Sequence, residues 1–267
     1  MMRWVWRTAL AGTLVLGSVA GCGRVLQGAI TAAPALLPIS DAQEIAIGQQ
    51  AAQEILQEVS LVASEQVRQY VEQLGRAVAA ESDRADIPYH FFVVQAEEPN
   101  AFALPGGFIF VTSGLLRVME NEAQLVGVLA HEVAHVAARH SIELIRQEAV
   151  ARGVQVAALG TDAGTTQAIA NVVRTLVIRG YGRAKELEAD GLGAIYTARE
   201  NYAPSALSHF LQRLSDVTGG QPAWFLPLAT HPTLEQRLER IRQTIEENSL
   251  GGAELNQARF QQIMQTL

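Results

Sequence analysis

His131-Glu132-Val133-Ala134-His135 reads HExxH, and the rest of the chain is read outward from it. Histidines four apart on a helix share one face, so two imidazoles can meet one metal ion while the glutamate between them leans over its open side. That is the geometry of a zinc hydrolase. The flanking residues favour a helix. Asn121 with Gln124 three residues later is an N-terminal capping pattern. Leu125, Val128, Leu129, Val133, Val136, Ile142 and Ile145 then recur at helical spacing with no proline among them. The spacing predicts a metal helix running from about Glu122 into the 140s. On it His140 falls about 180° round from His131, which suits a supporting or structural role rather than ligation.

Two ligands do not complete such a site. A hydrolytic zinc takes three protein ligands and keeps one position for water, whose pKa it lowers to about 7 so that the neighbouring glutamate can take the proton. Downstream, Arg183-Ala184-Lys185-Glu186-Leu187-Glu188-Ala189-Asp190 sets Glu186 and Asp190 four apart on one helical face, with Glu188 rotated away. Glu186 can bind the metal while Asp190 accepts the second N–H of a ligating imidazole. The same patch in isolation reads as a solvated face of carboxylates paired with Arg183 and Lys185. The HExxH helix upstream tips the reading towards ligation.

Upstream of the motif, Tyr89 to Gln95 and Phe108 to Thr112 carry the aromatic and β-branched content of strands, separated by a turn at Pro105-Gly106-Gly107. Between them Asn100-Ala101-Phe102-Ala103-Leu104 reads as a short edge strand. Beside a metal, such an edge offers free N–H and C=O groups to an extended peptide, which makes Asn100, Ala101, Phe102 and Ala103 candidate substrate-binding residues. An ordinary β-meander packed on helices fits the same residues. Ser40-Asp41-Ala42-Gln43 is a capping box that starts a helix reaching about Val59. A second helix follows Ser64, with Val67, Tyr70, Val71, Leu74 and Val78 as its apolar stripe. The apolar runs Ala149 to Leu159 and Thr166 to Ile178 are each too short to cross a bilayer. They read as a helical hairpin, with a flap over the cleft or a membrane-touching surface as alternatives.

A chain of 267 residues, 49% hydrophobic, can bury one substantial core and has length to spare for extensions. Residues 1–21 have Arg3 and Arg7 before the apolar stretch Ala9 to Ala20, the make-up of a secretory signal. Val19-Ala20-Gly21-Cys22 is similar to the lipobox at which bacterial lipoprotein precursors are cut before a cysteine that becomes acylated. Cys22 is the only cysteine, so no intramolecular disulfide forms and no thiolate is offered to the metal. Gly23, rather than Asp, follows it, which in other bacteria favours the outer membrane. Residues 22–39, punctuated by Pro34 and Pro38, form the expected tether, and 40–267 the zinc-hydrolase domain. The net charge of −7 becomes more negative once Arg3 and Arg7 are removed, and a nucleic-acid footprint is absent.

HExxH followed by ExxxD in an Arg-x-x-Glu-x-x-Ala-Asp-like setting resembles metallopeptidase family forty-eight, which includes CAAX prenyl endopeptidases, the heat-shock protease HtpX and periplasmic or lipoprotein peptidases. Asn100-Ala101-Phe102-Ala103 with Pro105-Gly106-Gly107, the His131 to His140 spacing, and Thr230-His231-Pro232 with Arg237 extend the resemblance over roughly Ser40 to Thr244. It implies an α+β, mainly helical, zincin-like (gluzincin) domain with a small antiparallel sheet. It implies one Zn2+ per chain on His131, His135 and Glu186, with Glu132 as general base and acid and Asp190 in support. It also brings His231 and Arg237 to the active site from the C-terminal side, His231 either stabilising an oxyanion or closing the open metal position. Integral-membrane relatives carry several spanning helices, whereas no stretch of 18 or more apolar residues follows the signal here. The expected protein is a lipid-anchored endopeptidase of the bacterial envelope, on the periplasmic face of the outer membrane, acting on unfolded or misassembled polypeptides. The rival is a tethered chaperone or assembly factor with a structural or histidine-locked zinc.

Overall fold

The computed structural model describes residues 39–151, 180–219 and 232–267. Two helices open this part of the chain, α1 (Asp41–Glu58) and α2 (Glu65–Ala80). Ser40 and Gln43 form the reciprocal capping box before α1, and the Ser64 hydroxyl accepts from the Val67 amide at the start of α2. The expected stripe of α2 is buried throughout.

Three strands follow, β1 (His90–Val94), β2 (Ala101–Leu104) and β3 (Phe108–Thr112), with the 3-10 turn Pro105–Gly107 between the last two. The sheet order is β1-β3-β2. β2 pairs antiparallel to β3 through a tight turn, but β1 pairs parallel to it, so the sheet is mixed and not the antiparallel sheet expected. The physical reason is the crossover: β2 is laid down between β1 and β3 in sequence yet sits at the far edge, so β3 enters the middle running the same way as β1.

Side chains alternate across the sheet with period two. Phe91, Val93, Ala103, Ile109 and Val111 join the main core with α2 and the metal helix. Phe92, Val94, Phe102, Leu104, Phe108 and Phe110 turn to α1, where the Phe92, Phe110 and Phe102 rings stack across the three strands at 4.8 and 5.1 Å between centroids. Each such pair contributes about 0.5–1.5 kcal/mol beyond its buried area.

The remaining helices are α3 (Ser113–Val118), α4 (Glu122–Ala137), α5 (His140–Ala151), α6 (Arg183–Arg199), α7 (Ala206–Thr218), α8 (Leu234–Glu247) and α9 (Gln257–Met264). α4 is the metal helix and the centre of the core, packed on α2, α6 and α7. The Asn121 side chain caps it as expected, accepting from the Gln124 amide at 3.0 Å, while the Gln124 side chain reaches one residue further back, to the Glu120 amide.

The single helix expected from Glu122 into the 140s is in fact two. Arg139, with φ 56°, interrupts the run: α4 ends at Ala137 and α5 starts at His140. No helix among the described residues is long and apolar enough to cross a membrane. The signal and tether with Cys22, most of the expected 150–180 hairpin, and His231 lie outside the described residues.

Candidate metal centre

α4 supplies His131, Glu132 and His135 from its buried face, and α6 supplies Glu186 and Asp190 from the helix packed against it. The two helices approach closely because Gly193 faces the metal helix: a Cβ there would lie 3.1 Å from the His131 amide nitrogen. Nε2 of His131 lies 3.1 Å from Nε2 of His135 and 3.4 Å from Oε2 of Glu186, and His135 Nε2 is 3.9 Å from Oε1 of Glu186. Bonds of about 2.0–2.1 Å in a tetrahedral site put ligand atoms about 3.3 Å apart, so these three donors surround one point at the spacing a metal ion requires. Two imidazoles and a carboxylate, all buried and without a thiolate, fit a divalent metal.

The outer nitrogens are held as firmly. His131 Nδ1 is 3.1 Å from Oδ1 of Asp190, and His135 Nδ1 is 2.8 Å from Nδ1 of His140, whose Nε2 is 3.3 Å from Oε2 of Glu188. One proton assignment satisfies the whole chain: Nδ1–H of His131 donates to Asp190, Nδ1–H of His135 to His140, and Nε2–H of His140 to Glu188. With both imidazoles neutral this leaves each Nε2 bare and turned inward, and each ring is backed in the end by a carboxylate. Arg237, on α8, places Nε 2.8 Å from Oδ2 of Asp190 and its outer nitrogen 3.4 Å from Nδ1 of His131. It is buried behind the ligands.

Burial and charge set the protonation pattern. Burial works against an imidazolium at His131, but the hydrogen bonds to Asp190 and Glu186 outweigh it and raise the pKa to about 9. His135, buried and facing His131, is held well below the usual histidine range. The Glu186 carboxyl is held well below its ordinary value: burial opposes ionisation, and the two ligating histidines and Arg237 more than reverse this. Asp190 is lowered by Arg237 and His131, again against the effect of burial. Burial pushes the Glu132 carboxyl up to about 7, Glu186 adding to the rise while His131, Arg237 and a hydrogen bond from the Ala103 amide oppose it.

That last contact joins the sheet to the site. Asn100 accepts from the Thr112 amide at 2.9 Å, so by the alternation of an antiparallel ladder Asn100, Phe102 and Leu104 face β3, while Ala101 and Ala103 turn their backbone groups outward. Ala103 turns to the site: its C=O accepts from the Tyr181 hydroxyl at 2.8 Å, and its amide favours the ionised form of the Glu132 carboxyl. Ala101 is the next outward residue and is only partly buried.

Sequence reasoning missed Tyr181. Its ring stacks on His135 with centroids 3.9 Å apart, its amide donates to Oε1 of Glu186 at 3.0 Å, and its hydroxyl also meets Ser141 at 2.8 Å. An aromatic residue between two glycines just before the acidic helix was the available signal. The pairing of His140 with Glu188 was missed as well, because it depends on the break after α4.

A family model, Peptidase family M48, matches residues 65–245. The beta-barrel assembly-enhancing protease of Yersinia pestis is 32% identical over 222 residues, covering 79% of this chain and 45% of that protein. That of Escherichia coli strain K12 is 30% identical over 214 residues, covering 76% and 44%. The mitochondrial metalloendopeptidase OMA1 of Schizosaccharomyces pombe is 33% identical over 180 residues, covering 67% and 53%. The chain thus spans about half the length of the curated relatives it matches.

Proposed function

This chain belongs to peptidase family M48, and from that membership we propose that it is a zinc-dependent endopeptidase held at the cell envelope by a lipid on Cys22. The observation that carries the reading is the convergence of His131, His135 and Glu186 donors beside a buried carboxyl, Glu132, on the same helix. A structural metal site has no use for that carboxyl, which speaks against the chaperone alternative.

Zinc, when bound, supplies Lewis acidity for a peptide carbonyl and for water. Glu132 then has the proton work: buried beside the metal donors, its carboxylate can take a proton from attacking water and return it to the departing amine. Asp190 and His140 orient the two imidazoles, and Arg237 balances the charge of Asp190 and so serves as a positioning residue. An extended polypeptide pairs along the outer edge of β2 at Ala101, because Ala103 is already engaged.

A relative named for enhancing β-barrel assembly supports unfolded or misassembled envelope proteins as substrates. The Cys22 motif supports the anchor. Two measurements test this reading. Hydrolysis of an unfolded protein by the full chain should stop on chelation and return with one equivalent of zinc; activity indifferent to chelation contradicts it. In cell fractions, the full chain should follow the membrane and Cys22→Ser should not; equal partition of the two excludes the lipid anchor.

A further inference from the structure

The break between α4 and α5 is unusual in its chemistry. Helices that end in the left-handed region generally do so at glycine, because a side chain is disfavoured there. Here the residue is Arg139, at φ 56°. Its guanidinium is held by the start of α1, about a hundred residues earlier in the chain. One nitrogen lies 2.9 Å from Oε2 of Glu44 and donates to the Ile39 carbonyl at 2.6 Å, and another is 3.3 Å from Asp41.

Glu44 is a built anchor rather than a surface partner. It is 1% exposed, receives both Arg84 nitrogens at 3.2 Å, and accepts from the Gly106 amide at 3.2 Å. Arg84 in turn donates to the Val136 carbonyl in the last turn of α4 at 3.0 Å. None of these groups touches the metal centre.

The consequence falls on the next two residues. In an unbroken helix His140 would lie about 140° round from His135 and could not reach it. With Arg139 left-handed, His140 Nδ1 comes within 2.8 Å of His135 Nδ1, and the Ser141 hydroxyl comes within 2.8 Å of Tyr181. We propose that Arg139 is a positioning residue for the metal centre: clamped by Glu44, Asp41 and the Ile39 carbonyl, it holds the joint that seats His140 against His135 and so orients a ligand it never touches. The inference rests on the reading of His131, His135 and Glu186 as a metal site.

The test is zinc affinity of the full chain, measured by competition with a chelator and zinc alone as the probe. Arg139→Ala removes the clamp and leaves a side chain that disfavours the left-handed region, whereas Arg139→Gly removes the clamp and the disfavour together. Arg139→Ala is expected to weaken zinc binding about tenfold, the scale of losing an outer support, and Arg139→Gly to stay within about threefold of wild type. In a His140→Ala background, Arg139→Ala should bring no further loss. If Arg139→Ala does not fold, Glu44→Gln takes its place in the same cycle. Equal weakening by the Gly and Ala variants, or an undiminished loss without His140, overturns the proposal. A wild-type chain that takes up no zinc overturns instead the metal-site reading beneath it.

Discussion

At the scale of single residues, the HExxH and ExxxD spacings carried most of the site, because both depend only on which residues share a helical face. Glu186 and Asp190 were legible for that reason. Tyr181 and the His140–Glu188 pair were not, since they are assembled by a chain break and a loop for which periodicity gives no signal. Asp190 illustrates how such a residue works at a distance from the chemistry. Fully buried, it accepts from His131 and takes a two-pronged contact from Arg237, so its negative charge is both needed and balanced. Asp190→Asn keeps the shape and loses the charge. It should weaken zinc binding by about 10–100-fold while the helical signal is retained, as read by chelator competition and circular dichroism. Unchanged affinity would remove Asp190 from the account.

At the scale of elements, helix starts were the most readable features: Ser40, Ser64 and Asn121 each cap the helix they were expected to cap. Strand identity was readable too, because aromatic and β-branched residues cluster there, but pairing direction is set by the order in which strands enter the sheet and has no local signature. β2 shows why this matters. As the edge strand it presents Ala101 and Ala103 outward, and only Ala101 has its backbone clear of Glu132 and Tyr181. Ala101→Pro removes an N–H that lies outside the ladder, a position where proline is tolerated. Turnover of an unfolded protein should fall at least tenfold with zinc content and melting temperature nearly unchanged. Wild-type turnover would mean the substrate runs elsewhere.

At the scale of the whole molecule, a buried polar node ties the start of the metal helix to the C-terminal end of the chain. Glu122, fully buried at the first turn of α4, accepts from Tyr70 at 2.6 Å, Tyr202 at 2.5 Å and Asn256 at 2.7 Å, with Arg259 at 3.4 Å. In the sequence it looks like an ordinary acid at a helix N-terminus. Its partners lie 52, 80 and 134 residues away, which no spacing rule reaches. Glu122→Ala strands two buried hydroxyl donors, Tyr70 and Tyr202, besides the half-buried Asn256 amide, and should cost about 3 kcal/mol of unfolding free energy in urea, where a loss under about 1 kcal/mol would show the node to be dispensable. One end of α4 is thus pinned by Glu122 and the other by the contacts around Arg139, so the helix that bears the HExxH motif is held at both ends. The most direct test of what that rigidity serves is a comparison of peptide-bond hydrolysis by zinc-loaded wild type and zinc-loaded Glu132→Gln. The account predicts equal zinc content and a fall in turnover of about 10²-fold or more in the variant. Equal turnover at equal zinc content would contradict it.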